Sequence, residues 1–287
     1  MKAAAFDYRC PADLAEAGRL LADGQGGAKI MAGGQSFGPM LNLRLARPRT
    51  IVDVSRLPGF ETVRADGSHL VLGAGVTHAA IEDGLHAELR GHPMQQVAAG
   101  IAYRAVRNRG TLGGSLAHAD PAADWIVTLT ALGAQVTLRS PRGERSVGMD
   151  GFMQAAYTTA LETDEIIVSV RVPRGEGGRW GYYKFCRKPG EFAEASAAVW
   201  LPATHGVARI VLGALDGAPV PLPALAQRIA RDGVAAAGRA HLARAVHEAL
   251  PAREAVDNQL HVVCLARALA QAGLAAPAPA APLETHE

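Results

Sequence analysis

Apolar positions along the chain repeat with two different periods, and the changes of period divide it into segments. Leu14, Ala17, Leu20 and Leu21 recur at helical spacing inside residues 11–23, with Pro11 near the start and Gly24 closing the segment. Residues 28–32 read as a short buried strand running into Gly33-Gly34, residues 40–45 as a short helix or packed loop, and residues 50–54 as a second strand. This is a β-α-β-type unit ending near residue 55. Next come a strand at 70–75, a helix from the N-cap Thr77 to about residue 85, and a helix from Pro93 to about residue 101. Residues 122–132 follow a helical pattern, 134–139 and 144–147 flank Pro141-Arg142-Gly143 as a hairpin, and 165–172 form a strand ended by Pro173. The glycine-rich break at 174–178 is the best domain boundary. Beyond it, 180–186, 194–201 and 207–214 read as antiparallel strands, and 222–232, 239–250 and 253–273 as helices. From residue 275 the chain is Pro/Ala low-complexity sequence, extended or disordered.

Two glycine-centred stretches fall outside these packing patterns: IMAGGQSFGPMLNLRL from Ile30 and VRNRGTLGGSLAHADPAADW from Val106. Glycine admits positive φ and lets another molecule approach with no Cβ in the way. Turns of this kind present successive N–H groups on a concave face that suits a pyrophosphate. The pairs Gly33-Gly34 and Gly113-Gly114 therefore read as two jaws of one nucleotide-diphosphate clamp, and a branched residue at Gly114 should block the positive φ that the clamp needs. Neither stretch is G-x-G-x-x-G, and the nearest candidate, Gly73-Ala74-Gly75, has His78 in the third glycine place. It reads as a strand end turning into a helix. No P-loop, H-E-x-x-H or nucleophile elbow occurs.

Composition narrows the classes. The 287 residues suffice for two or three domains, and 29 basic against 27 acidic side chains give no reason to expect nucleic acid or an acidic membrane surface. Cys10, Cys186 and Cys264 lie far apart, without CxxC spacing, so no metal cradle or disulfide framework is expected. No run is apolar enough to span a membrane, and with no secretory signal a cytoplasmic location is expected. His118, Asp120 and Asp124 admit a metal-ligand reading. The plainer one makes Asp120 the N-cap of a helix with Pro121 at N1 and Asp124 in its first turn. Arg104, Arg107 and Arg109 are either a solvated face or, beside a glycine pair, phosphate ligands. No residue set supplies a nucleophile or general base, so the chemistry belongs to a cofactor.

The two glycine stretches, with YYKFCRKPGEFAEASAAV from Tyr182, closely resemble the FAD-binding medium subunit of the molybdenum hydroxylases, the flavin chain of the carbon monoxide dehydrogenase and xanthine dehydrogenase group. The resemblance extends to about Gly273. It implies an α+β fold of the vanillyl-alcohol-oxidase (PCMH) type. FAD-binding subdomains would occupy 1–55 and 56–175, a C-terminal domain with a three-stranded antiparallel sheet and a helical bundle 176–275, and a Pro/Ala-rich tail 276–287. By this resemblance the pyrophosphate loops fall on Ala32, Gly33, Gly34, Gln35 and Ser36 and on Thr111, Leu112, Gly113, Gly114 and Ser115. Asp124 matches the family acid at the ribityl or ribose region, Ile101 and Ile167 match apolar positions near the cofactor, and Lys184 matches a basic position near the flavin ring. Phe37-Gly38 stand where two bulky aliphatics are usual, which implies a looser loop, and Phe192 is a candidate ring beside the isoalloxazine.

The implied function is an oxidoreductase subunit that carries FAD and contributes no catalytic side chain or metal ligand of its own. A large subunit would hold the molybdenum cofactor and a small one two 2Fe-2S clusters, as a dimer of heterotrimers. Electrons from the clusters would pass through the FAD to an external acceptor. The substrate stays open among carbon monoxide, an aldehyde, a purine and an N-heterocycle. Two alternatives are a self-sufficient FAD oxidoreductase of the same fold and a non-enzymatic nucleotide-binding scaffold.

Overall fold

The computed structural model describes residues 2–203 and 206–274; the tail assigned to 276–287 lies outside them. Three sheets follow one another along the chain. The first is parallel, with β1 (Asp7–Arg9), β2 (Ala28–Met31) and β3 (Thr50–Asp53) in the order β1-β3-β2. Helix α1 (Leu14–Asp23) connects β1 to β2. It begins where the Asp13 carboxylate accepts the Glu16 N–H, and it buries Ala17, Gly18 and Leu21. Helix α2 (Phe37–Asn42) leads from the first glycine loop toward β3.

The second sheet is antiparallel in the order β4-β5-β10-β6-β7, formed by β4 (Val63–Asp66), β5 (His69–Gly73), β6 (Gln135–Ser140), β7 (Gly143–Gly148) and β10 (Ile166–Pro173). Between β5 and β6 run α3 (His78–Glu82), α4 (Pro93–Ala99), α5 (Arg104–Arg107), α6 (Leu112–His118) and α7 (Asp124–Leu132). After β7, α8 (Met149–Phe152) precedes a small hairpin of β8 (Met153–Ala155) and β9 (Thr158–Thr159). All nine residues of α7 are buried. Buried on every side, this helix joins the core of the second sheet to Ala198, Trp200 and Val211 of the third.

The third sheet holds β11 (Arg179–Phe185), β12 (Ala195–Leu201), β13 (Arg209–Gly213) and the two-residue β14 (Val220–Pro221), all antiparallel. The expected three strands are thus extended by one short edge strand, which the prolines at 219 and 221 hide from a periodicity count. Helices α9 (Pro223–Asp232), α10 (Arg239–Ala249) and α11 (Ala255–Gln271) close its outer face. Helix α11 approaches β11 so closely that a Cβ on Gly181 would overlap the Ala268 carbonyl oxygen.

One boundary departs from expectation. Helix α7 starts at Asp124, with Ala123 and not Asp120 as N-cap. Asp120 instead accepts the Ala122 N–H at 2.9 Å, an Asx turn that holds residues 121–123 out of the helix.

Candidate functional site

A cleft of about 1080 Å³ opens between the first two sheets. Its wall on the first sheet is the loop 32–36. Backbone N–H groups of Gly33, Gly34, Gln35 and Ser36 donate to no protein group among the described residues. Amides left this way need a ligand or water. Gly34 has φ +69°, a conformation that costs a side-chain-bearing residue about 1–2 kcal/mol. Gly33 serves a different need. A Cβ there would overlap the Arg109 carbonyl oxygen, 2.6 Å from the Arg109 carbonyl carbon and 3.0 Å from the Gly110 Cα. Gly38 does not loosen this loop. It sits in the first turn of α2 and donates to Gly34 O at 2.8 Å.

The second loop differs from the clamp jaw that its glycines suggest. Gly113 and Gly114 lie within α6, and neither has positive φ. Leu112 N donates to Val76 O and Gly113 N to Ala74 O, at 2.9 and 2.8 Å. Gly114 N donates to the Thr111 hydroxyl at 3.0 Å, so these amides are satisfied internally. Gly113 is small because a Cβ would stand 2.6 Å from the Ala74 Cβ. The expectation that a branched residue at Gly114 blocks positive φ is therefore corrected: the obstacle there is crowding against the Thr111 hydroxyl, 2.8 Å from a Cβ.

Of the other residues singled out, Ile101, Ser115, Asp124 and Ile167 line the same cleft, as do Ala32, Gln35, Ser36 and Thr111. Leu112 is fully buried in the core, and Lys184 meets the cleft only through Asp124. Asp124 is held by two side chains. Lys184 Nζ lies 2.8 Å from its Oδ1 and the Tyr182 hydroxyl donates to it at 2.7 Å, while Lys184 Nζ also donates to Gly100 O at 2.8 Å. Burial first, and then the Asp124 charge, push the Tyr182 phenol well above its ordinary range. Phe192 stands exposed at the mouth.

None of the three arginines lines the cleft. Arg104 pairs with Glu82 and Asp83; Arg107 pairs with Glu82 and donates to Ile101 O and Ala102 O. Arg107 thereby fixes the bend at Ala102, whose φ is +43°. Arg109 contributes its carbonyl, which packs on Gly33. Nor do His118, Asp120 and Asp124 make a ligand set: the His118 ring leans on Tyr157, and the two carboxylates are engaged as described. Among the described residues no group of three or more His, Cys, Asp or Glu is placed to hold a metal, and no helix is long and apolar enough to cross a membrane.

Residues 4–175 match the family described as the FAD binding domain in molybdopterin dehydrogenase. The chain belongs to that family. It is 40% identical over 203 residues to the nicotine 6-hydroxylase medium subunit of Paenarthrobacter nicotinovorans, covering 70% of each chain. It is 38% identical over 195 residues to the carbon monoxide dehydrogenase medium chain of Hydrogenophaga pseudoflava, covering 68% of each. Its fold superposes on a chain of quinoline 2-oxidoreductase from Pseudomonas putida 86 with a TM-score of 0.84 and 33% identity, covering 96% of this chain and 99% of that one. It is a flavin subunit of the molybdenum-containing oxidoreductases, and its fold is the FAD-binding fold of those medium subunits.

The cleft fits FAD. Its volume is at the upper end of ordinary ligand pockets. Its free amides suit a diphosphate. Sequence reasoning missed part of the lining, notably His78, Thr158 and Glu165. Arg145 donates to Glu165 at 2.6 Å and holds its carboxyl below the usual range, which anchors the strand-leading segment.

His78 is 5% exposed, and its Nδ1 accepts the Trp125 indole N–H at 3.0 Å. Burial, then the Arg107 charge, press its pKa down to about 4. Between about pH 6.5 and 4 the unfolded chain binds a proton there that the folded chain refuses. Stability from this group is thus complete above 6.5, falls toward pH 4 and is flat below, a loss on the order of 3 kcal/mol. Burial lowers His92 and His261 in the same direction. Urea unfolding at pH 7 and pH 4.5 should show the drop, and a smaller drop in His78→Gln. An equal slope in both proteins would contradict the assignment.

Proposed function

We propose that this chain carries FAD as the electron-transfer subunit of a heterotrimeric molybdenum hydroxylase. The reading is carried by one observation: four successive unengaged amides, Gly33 to Ser36, in a dinucleotide-sized cleft. Bound there, FAD would supply the redox chemistry, for which the side chains around it offer no substitute. The amides of 33–36 would hold the diphosphate, with Gly113, Gly114 and Ser115 forming the facing wall. Asp124, fixed by Tyr182 and Lys184, would accept in addition from flavin hydroxyls, and Ile101 and Ile167 would cover apolar rings. Residues 1–55 and 56–175 would act as the two FAD-binding subdomains, and 176–275 as the C-terminal domain.

In this assembly a large subunit holds the molybdenum cofactor and oxidises the substrate, and a small one holds two 2Fe-2S clusters. The flavin receives their electrons and reduces an external acceptor, in the cytoplasm, as part of a dimer of heterotrimers. Relatives named as medium subunits or as one subunit of a dehydrogenase complex support this division of labour. The test is purification with native neighbours followed by flavin absorbance and metal analysis. Stoichiometric FAD, with molybdenum and iron on co-purifying chains, is the expected result. A colourless chain that ignores FAD contradicts the reading, and so does substrate turnover by the isolated chain.

A further inference from the structure

The amides of Leu112, Gly113 and Gly114 are engaged with Val76, Ala74 and Thr111, which leaves a place on that wall for a side-chain donor. His78 is placed to be one. The residue lines the cleft, and its main-chain N donates to Gly110 O at 2.9 Å, beside the bridge between Thr77 and Thr111. The edge of the ring that bears Nε2 lies against Gly110: a Cβ there would be 2.9 Å from both Nε2 and Cδ2. Gly110 in turn touches Gly33, so His78, Gly110 and Gly33 stand side by side where the two loops meet. The tautomer follows from the Trp125 contact. Nδ1 accepts the indole N–H, so a neutral ring carries its hydrogen on Nε2. That nitrogen donates to no protein group among the described residues.

We propose that His78 is a dinucleotide-binding residue, a neutral Nε2–H donor facing the diphosphate from the wall opposite the amides of 33–36, with Trp125 fixing its tautomer. The proposal rests on the FAD reading given above. Burial keeps the ring uncharged near neutral pH, so the Trp125 contact and the free Nε2–H persist together.

The test titrates FAD into the deflavinated full-length chain. His78→Phe keeps a ring and removes the donor; His78→Gln places an amide N–H near the Nε2 position. Both leave the Trp125 N–H without its acceptor, so the difference between them isolates the donor. One hydrogen bond to a charged acceptor predicts roughly tenfold to hundredfold weaker FAD binding in His78→Phe, with His78→Gln within about threefold of wild type. Trp125→Phe, which keeps His78 but frees the tautomer, should weaken binding by about threefold or more and tests the idea even where His78→Phe does not fold. Wild-type affinity in His78→Phe, equal losses in the Phe and Gln variants, or an indifferent Trp125→Phe overturns the assignment of His78 alone. A wild-type chain that binds no FAD overturns the flavin reading and this proposal with it.

Discussion

Gly33→Ala is expected to empty the flavin cleft. The added methyl would overlap the Arg109 carbonyl oxygen and crowd the Arg109 carbonyl carbon and Gly110 Cα, all main-chain atoms with no rotamer to change. The two loops must therefore part, at a cost on the order of 3 kcal/mol. Gly33 is not among the positive-φ glycines, so the effect is steric, and this separates it from Gly34, whose φ is +69°. Gly38→Ala is the internal control. Nothing lies within 4 Å of a Cβ there, and alanine favours the helix. The account predicts near-zero flavin content and a lowered Tm for Gly33→Ala, with wild-type flavin content for Gly38→Ala. Full flavin retention in Gly33→Ala would mean that the loops do not meet as described.

Asp124→Ala is expected to be the most damaging single change outside the loops. The Asp124 and Lys184 side chains are 7% and 12% exposed, and Tyr182 donates into the same carboxylate. Removing the carboxylate leaves a desolvated ammonium with Gly100 O as its remaining partner and a buried phenol without an acceptor. Breaking such a pair costs roughly 3–5 kcal/mol, whereas replacing both partners by apolar groups costs much less. Asp124→Leu combined with Lys184→Met should therefore be more stable than Asp124→Ala alone, as measured by urea unfolding. Strict additivity of Asp124→Leu and Lys184→Met, measured singly and together, would show that the contact carries no coupling.

The periodic elements were legible because their signals are local. The apolar face of α1, the Thr77 cap of α3 and the three long strands of the third sheet follow from side-chain spacing. The strands β1 and β4 were not. Asp7–Arg9 is exposed throughout and Val63–Asp66 nearly so, so neither carries the alternation that marks a half-buried strand; β1 forms by pairing with the distant β3, and β4 by folding back on the adjacent β5. At the site, the glycines flagged the right loops, but the assumed reason held at Gly34 alone. Gly33 and Gly113 are small because Arg109 and Ala74 press against them, contacts between segments far apart in sequence. The arginine cluster misled for the same reason: Glu82, which neutralises Arg104 and Arg107, lies more than twenty residues away. His78 went unread because its significance depends on Trp125, 47 residues on.

Residue-resolved hydrogen exchange of the full-length chain, with and without FAD, tests the central claim most directly. The amides of Gly33, Gly34, Gln35 and Ser36 have no protein acceptor and should exchange quickly in the flavin-free chain, then slow strongly when FAD binds. The amides of Leu112, Gly113 and Gly114 are already bonded internally and should change little. Protection confined to 112–114, with 33–36 left open to solvent in the loaded protein, would contradict the account.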